Sequence, residues 1–437
     1  MSTTPLSVLS VWERESFFAP ADIVIAGSGF VGLWSAYYLK KSAPHLSVTI
    51  VDRGIIPTGA STRNAGFACF GSLTELLADS RKMGEEAMLE LVEMRYKGLK
   101  RIAKLFSDKD TGFERYGGYE LIADSTSPFT PAGRIITTPV GTAGPAITSA
   151  EATEGEGQSP TENPSDSQPG PFTDVNELRS NIDWLNRKLK KIVKQQKVFQ
   201  LQNDKIADFG FAGVQHLIAN KAEAQLHSGK LCQALLRLVQ SMGVNVLNNI
   251  EITGFEKMNG HLVLHTDQPF TLTTSQLLVC TNAFARQLLP QLDIIPARGQ
   301  ILVTSPIEQL PFKGTFHFDE GYYYFRDLGD RILLGGARNK DFDAEQTDEL
   351  TVTDTIQQEL ERFLRDVILP GRSYHIEHRW SGIMGLGGDK QPIIRAINDH
   401  VFCAVRMGGM GVAFAPMIGE KIAALMTGGA QEFSDIL

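Results

Sequence analysis

The sequence predicts an α/β (α+β) protein in which short, fully buried strands near the N-terminus give way to longer alternating strands in the C-terminal half. Three observations carry this. The stretch 21–52 reads strand, glycine turn, helix, strand, acid. The stretch 300–335 holds runs of alternating polarity, the pattern of an antiparallel sheet with two unlike faces. At 437 residues the chain is long enough for two or more domains and a sizeable core.

The first element begins with Ile23, Val24 and Ile25, the composition of a strand buried on both faces. Gly27, Gly29 and Gly32 follow at G-x-G-x-x-G spacing, then a helix over 33–41, then an apolar run at 48–51 ending at Asp52. Each residue type has a mechanical reason. Gly27 makes the tight turn, Gly29 lets backbone approach a pyrophosphate, and Gly32 lets helix and strand pack closely. The helix N-terminus offers unpaired N–H groups and partial positive charge, and Asp52 would accept hydrogen bonds from ribose hydroxyls. This combination predicts dinucleotide binding.

Composition narrows the partners. With 42 basic and 50 acidic residues the net charge is −8, which argues against a nucleic-acid surface and favours a small-molecule partner. No run of about 18 apolar residues occurs, so no integral membrane segment is expected. Residues 1–15 lack a basic and an apolar leader pattern, and a cytoplasmic protein is expected. Cys69, Cys232, Cys280 and Cys403 form no C-x-x-C pair, and the 9 histidines show no metal spacing. No metal site is predicted.

After Asp52, the segment 59–66 reads as a small polar loop in which Arg63 lies near phosphate or a ring carbonyl. Apolar positions recur at helical spacing over 74–106. Between 125 and 171 the chain turns to Ser, Thr, Pro, Gly and Ala with an acidic cluster, and a disordered insertion is expected. Helices are predicted over 175–195 and 229–242, the latter stopped by Gly243, followed by strands at 244–247, 250–257, 261–266, 270–273 and 277–280. The runs 300–304, 315–319, 322–326 and 331–335 form an antiparallel platform, with Tyr322, Tyr324 and Arg326 on one face and Tyr323 and Phe325 on the other. A last helix is expected over 353–367.

The C-terminal block holds His378 to Gly382, then Arg406, Met407, Gly408, Gly409, Met410, Gly411 and Val412 leading to Pro416. Several glycines directly before an apolar helix would aim backbone N–H groups at a ligand. Together with 27–32, 61–66, 223–229, Thr281 to Ala283, Ala297 to Gln300 and Gly335 to Gly336, this set resembles the D-amino-acid-oxidase-like superfamily of FAD-dependent oxidoreductases. Within it, the starting Val11, Trp12 and Glu13, with Arg63, Asn64, 322–326 and 379–382, look most like the gamma-glutamylputrescine oxidoreductase-like branch.

The resemblance implies a Rossmann-type FAD-binding domain (20–106, 219–295 and 379–437) interleaved with a mixed, largely antiparallel-sheet substrate domain (107–218, containing the insertion, and 296–378). It implies FAD contacts at Gly27, Gly29, Phe30, Val31, Gly32, Asp52, Arg53, Arg63, Asn64, Ala65, Gly66, Thr281, Gly409, Met410, Gly411 and Val412. It further implies oxidation of a C–N bond in an amine or amino acid by hydride transfer to flavin N5, with hydrolysis of the imine and O2 or another electron acceptor. Tyr322, Tyr324 and Arg326 are the expected substrate-orienting residues. Relatives that bind an alpha-amino carboxylate carry an Arg shortly after the Trp-x-Gly element, where this chain has Ile383 and Met384; Arg326, Arg379 or Arg298 are the candidate substitutes. Relatives with covalent flavin use a cysteine of the C-terminal half, and none lies between Cys280 and Cys403, so FAD is expected to be non-covalent. A lysine associated with oxygen activation would fall near Leu333, which leaves oxidase and dehydrogenase both open. A flavin-dependent 2-hydroxy-acid dehydrogenase, a non-catalytic FAD-binding scaffold and a nicotinamide enzyme are the alternatives.

Overall fold

The computed structural model describes residues 9–124, 127, 129 and 174–428. Two eight-stranded sheets organise it. In the first, six strands run in the order Ile393–Ala396, Val401–Val405, Thr271–Val279, Ala21–Ala26, Val48–Asp52 and Asn245–Asn248, and His261–Thr266 and Ile252–Met258 extend it antiparallel from Thr271–Val279. From Val401–Val405 to Asn245–Asn248 the pairing is parallel, so N-terminal, central and C-terminal segments build one sheet. Strands buried on both faces need continuous apolar runs, which Ile23, Ile25, Ile50, Leu278 and Val401 supply. Helices Phe30–Ser42, Ser228–Ser241 and Gly411–Met426 contribute their apolar faces to the same core.

The second sheet runs Ile376–Leu386, Ile295–Thr304, Arg331–Gly336, Tyr323–Leu328, Thr315–Phe318, Gly118–Ala123, Val214–Asn220 and Phe199–Leu201. Only the Thr315–Phe318 pairing with Gly118–Ala123 is parallel. One face carries Phe316, Phe325 and Tyr323, which close an aromatic core against Phe363 of the covering helix Asp354–Phe363. The other turns Ile301, Val303 and Leu333 toward Ala65 of the first domain.

Several elements differ from the sequence expectation. The helix expected over 74–106 is two, Leu73–Met83 and Glu85–Leu105, because Gly84 takes φ +90° between them. The runs 270–273 and 277–280 belong to one strand, Thr271–Val279. Its polar middle stays in the ladder: Thr274 pairs with Leu262 on one side, and Gln276 pairs with Ile23 on the other. The segment 59–66 contains a one-turn helix, Ala60–Arg63. The strands Gly118–Ala123, Val214–Asn220 and Phe199–Leu201 extend the platform beyond what the sequence indicated. The divisions expected at 218/219 and 378/379 fall inside strands of the second sheet, since pairing there continues across both points. The insertion expected at 125–171 lies outside the described residues except for Ser127 and Phe129. Phe129 is buried with its ring 5.1 Å from that of Phe363. Among the described residues no helix is long and apolar enough to cross a membrane.

Close glycine contacts hold the C-terminal helix against its neighbours. A Cβ on Gly98 would lie 1.8 Å from the Ala413 carbonyl oxygen, and one on Gly419 would lie 2.7 Å from Trp34. Ala is the better helix former by up to about 1 kcal/mol, but a backbone carbonyl cannot rotate aside. Gly98→Ala should therefore destabilise the protein by about 1–3 kcal/mol, read as a lowered guanidinium midpoint; an unchanged or raised midpoint would show that the helices separate without cost.

Candidate cofactor and substrate site

The first glycine turn is built by steric exclusion. Gly27 has φ +105°, and a Cβ there would lie 3.0 Å from the Cys280 carbonyl oxygen. On Gly32 a Cβ would lie 2.0 Å from the Gly27 carbonyl oxygen. Phe30 and Val31 put their side chains in the core, so only their backbone faces outward. The Phe30 N–H donates to Ser61 Oγ at 2.9 Å, whereas the Val31 and Gly32 N–H groups have no acceptor among the described residues. Asp52 accepts the Ser28 N–H and hydroxyl at Oδ2 and the Gly54 N–H at Oδ1, which fixes the carboxylate beside the turn. Arg53 points away, stacked 3.9 Å over Phe284 and 3.6 Å from Glu251, so the structure does not bring its side chain to the turn.

The second loop is held by its own polar groups. Arg63 donates from Nε to the Thr58 carbonyl and from Nη1 to the Ser381 carbonyl, and Trp380 Nε1 donates to the Arg63 carbonyl. Asn64 donates to the Ala60 and Ser61 carbonyls and accepts from the Gly66 N–H and Ser228 hydroxyl, so its side chain fixes the loop. Ala65 packs on the platform, and Gly66 takes φ +74° where a Cβ would lie 2.3 Å from the Leu226 carbonyl oxygen.

Of the three expected substrate residues, Arg326 and Tyr322 also make structural contacts. Arg326 is buried and donates to the carbonyls of Gly66, Leu226 and Asp327 at 3.1, 2.8 and 2.9 Å. Three of its five N–H donors, on Nε and Nη1, are engaged by backbone and fasten the loop. Burial pushes its pKa down, opposed by Asp327 and Glu114. Tyr322 precedes the strand; its carbonyl accepts the Ala337 N–H at 2.7 Å and its ring lies 5.8 Å from that of Phe342. Tyr324 faces the first domain, with its ring 5.9 Å from Phe67, and its hydroxyl has no hydrogen bond among the described residues. Burial pushes the Tyr324 hydroxyl up to about 12, with Arg338 opposing. The other candidate cations are paired: Arg298 with Glu345 at 2.7 Å, Arg379 with Glu361 at 2.8 Å. Leu333 packs against Ala65.

At the third approach, Gly408 and Gly409 take φ +56° and +83° and lead into the helix Gly411–Met426. The N–H groups of Gly409, Gly411 and Val412 have no acceptor among the described residues, and Met410 supplies no side-chain cap. Thr281 Oγ1, beside Gly27, is buried without a partner. Met384, which the sequence did not single out as a site residue, joins this turn to the platform. Its Sδ would be 3.5 Å from a Cβ on Gly409 and its Cε 3.3 Å from one on Gly299, and the Tyr324 hydroxyl would lie 3.7 Å from the latter.

Two sheets meeting around glycine turns with unfilled N–H donors define a dinucleotide-dependent enzyme of the two-domain flavoprotein class. Residues 22–425 match the FAD dependent oxidoreductase (DAO) family, and the chain belongs to that family. Probable oxidoreductase OrdL of Rhizobium meliloti (strain 1021) is 21% identical over 94% of this chain and 84% of its own length. Glycine oxidase from Geobacillus kaustophilus has a similar fold, with a TM-score of 0.69 at 16% identity, covering 95% of this chain and 96% of that one. L-proline dehydrogenase from P. horikoshii shares it at 0.66 and 17%, covering 95% of each. The residues present fit the FAD that the family implies. Unfilled N–H groups at both helix starts suit phosphate and ring oxygens, Thr281 Oγ1 lacks a partner, and added Cβ atoms would crowd the backbone of the Gly27 to Gly32 turn.

A buried cluster lies behind this site. Cys69, Glu223 and His317 bring their donor atoms within 4.8 Å of one another, a juxtaposition that linear spacing hides. His317 Nε2 is 3.5 Å from Glu223 Oε2, an ion-pair distance. Burial opposes the imidazolium, but the Cys69 thiol and the Glu223 charge outweigh it and hold His317 well above its ordinary 6.5.

Two outcomes follow. Gly32→Ala should give protein with little bound FAD, seen as a low ratio of 450 nm to 280 nm absorbance; full occupancy would show that the turn tolerates a side chain. Because the folded pKa of His317 is raised, its stabilising effect is complete below about pH 6.5 and is lost as pH rises through the folded value. The stability advantage of wild type over His317→Gln, from guanidinium unfolding, should shrink as pH rises above about 6.5. A flat difference would contradict a protonated His317.

Proposed function

We propose that this chain oxidises a C–N bond of an amine or amino acid, with O2 or another acceptor reoxidising non-covalently bound FAD. The observation that carries the reading is Tyr324, whose unpartnered hydroxyl lies on the platform face turned toward the first domain, one side chain from the Gly409 turn. FAD, when bound, would supply the two-electron sink for oxidation of the C–N bond. The chain's task is then orientation and exclusion of water. Phe67, Ile301 and Trp380 pack around Tyr324 as apolar neighbours, and such surroundings would favour the neutral amine that hydride loss requires. Tyr324 keeps its proton at neutral pH, so it serves as a hydrogen-bonding group and not as a base. Loss of hydride from carbon and a proton from nitrogen would give an imine, which water hydrolyses to a carbonyl compound and an amine. The family match over residues 22–425 supports FAD-dependent oxidation, and the free, buried state of Cys69, Cys232, Cys280 and Cys403 supports non-covalent FAD.

The test is anaerobic mixing of the yellow holoenzyme with polyamines, N-methyl amino acids and D- and L-amino acids, with 2-hydroxy acids alongside. Bleaching by an amine class is expected, and Tyr324→Phe should lower kcat/KM for that substrate about tenfold, as loss of one hydrogen bond does. Bleaching by hydroxy acids alone would refute C–N oxidation.

A further inference from the structure

A cavity of about 300 Å³ opens where the start of strand Gly118–Ala123 meets the end of strand Val214–Asn220, and Gln202 and Lys205 complete its lining. That volume lies at the low end of those that take small ligands. None of the lining residues belongs to the glycine turns or to the group packed around Tyr324, so this space is separate from the flavin site.

Its charge is one-sided. The chain as a whole carries −8, yet the cavity is lined by Arg115, Lys205 and Lys221 and, among the described residues, by no acid. Arg115 pairs with Asp108 at 2.5 Å, outside the lining, and Lys205 donates to the Tyr119 hydroxyl at 3.1 Å. Lys221 is exposed and has no hydrogen bond or ion pair among the described residues. Tyr116, also in the lining, holds Lys313 5.0 Å over its ring and so brings a fourth cation near. A concave surface of one sign focuses its field on a counter-ion.

Two amides in the same lining are incomplete. Asn220 is 4% exposed; its Oδ1 accepts the Ala222 N–H at 3.0 Å, but its Nδ2 is buried with no partner among the described residues. Gln202 Oε1 is likewise buried and unpartnered. One unfilled donor and one unfilled acceptor thus share a space with three cations, and buried polar groups are rarely left so. A simple oxyanion would serve the cations and Asn220 but offer nothing to the Gln202 oxygen. A neutral polyol would serve both amides and leave the charges unanswered. A phosphate monoester that carries hydroxyl groups does both, because its dianion suits several lysine and arginine donors and its O–H groups donate as well as accept.

We propose that this cavity is a second ligand site, for a hydroxylated phosphate monoester of the sugar phosphate or nucleoside monophosphate kind. Lys205, Lys221 and Arg115 hold the phosphate, and Asn220 and Gln202 read the hydroxylated part. The site stands independently of the reaction assigned to the flavin.

The experiment is calorimetric titration of FAD-loaded protein with ribose 5-phosphate, AMP, adenosine and inorganic phosphate, with the flavin band followed in parallel so that displaced FAD is seen. Saturable binding of an ester is expected with the flavin band unchanged, about tenfold or more tighter than inorganic phosphate, and weaker as salt rises. Lys221→Gln and Lys205→Gln should each raise Kd about tenfold, the size of one charge-assisted hydrogen bond, and Gln202→Leu should remove most of the ester's advantage over inorganic phosphate. Lys221 is exposed, so Lys221→Gln reads binding without a folding defect. AMP tighter than ribose 5-phosphate assigns the site to nucleotides, and the reverse order assigns it to sugar phosphates. The inference is overturned if neither ester binds saturably, if both lysine variants bind as wild type does, if adenosine binds as tightly as AMP, if inorganic phosphate binds as tightly as the esters, or if binding occurs only with release of FAD.

Discussion

The Arg326 guanidinium is the fastening on which the meeting of the two sheets depends. It leaves the platform strand Tyr323–Leu328, crosses to the first domain and donates to the carbonyls of Gly66 and Leu226. Buried charge without a directly paired acid is costly, and backbone carbonyls in hydrogen-bond geometry offset that cost only while both loops stay in place. Asp327, next in sequence, is held by Gln225 and by the Gly314 N–H, so the neighbouring residue is equally tied to the interface. The Gly66 loop therefore has a defined position over the platform. Asn64, Arg63 and Trp380 add a second set of bonds between the same parts.

A comparable network joins the N-terminal helices to the C-terminal block. Lys390 lies 3.1 Å from Glu75 and 2.7 Å from Asp79, with Arg95 3.7 Å from Glu75. Burial would raise Glu75, but Lys390 and Arg95 outweigh it and hold it down. Burial and the neighbouring Glu75 charge push Asp79 up. Such groups contribute less to net stability than to choosing one arrangement of two consecutive helices and the distant Lys390 segment, because a mispaired alternative strands a charge in the interior.

What the sequence revealed and what it concealed divide along one physical line. The turn at Gly27 to Gly32 and Asp52 were legible because the residues that constrain one another lie within a single strand–helix–strand unit. The glycines from Gly408 to Gly411 were legible for the same reason. Alternation correctly placed Tyr323 and Phe325 in the aromatic core and Tyr324 on the opposite face. Hydrogen-bond partners were not legible, since they come from far along the chain. The part Arg326 plays in fastening the Gly66 loop was hidden because Gly66 and Leu226 are distant from it in sequence. Asn64 read as a ligand contact, although four short-range and long-range bonds already use its amide. The break at Gly84 and the continuity of Thr271–Val279 depend on backbone geometry and pairing that periodicity does not encode.

One strand thus serves two ends through the period of two. A slip of one residue in the pairing of Tyr323–Leu328 would turn Tyr324 and Arg326 into the aromatic core and bring Tyr323 and Phe325 to the cleft. Register is secured on one side by Gly335 and Gly336, which leave room for the Tyr324 ring and the Tyr322 carbonyl and would clash with any other alignment of those bulky groups. It is secured on the other by His317 pairing with Tyr324 while its imidazole is fastened to Glu223. The fastening of the Gly66 loop and the placement of Tyr324 are consequently one structural decision, and a change that loosens the cofactor loop should also misplace the hydroxyl that faces it.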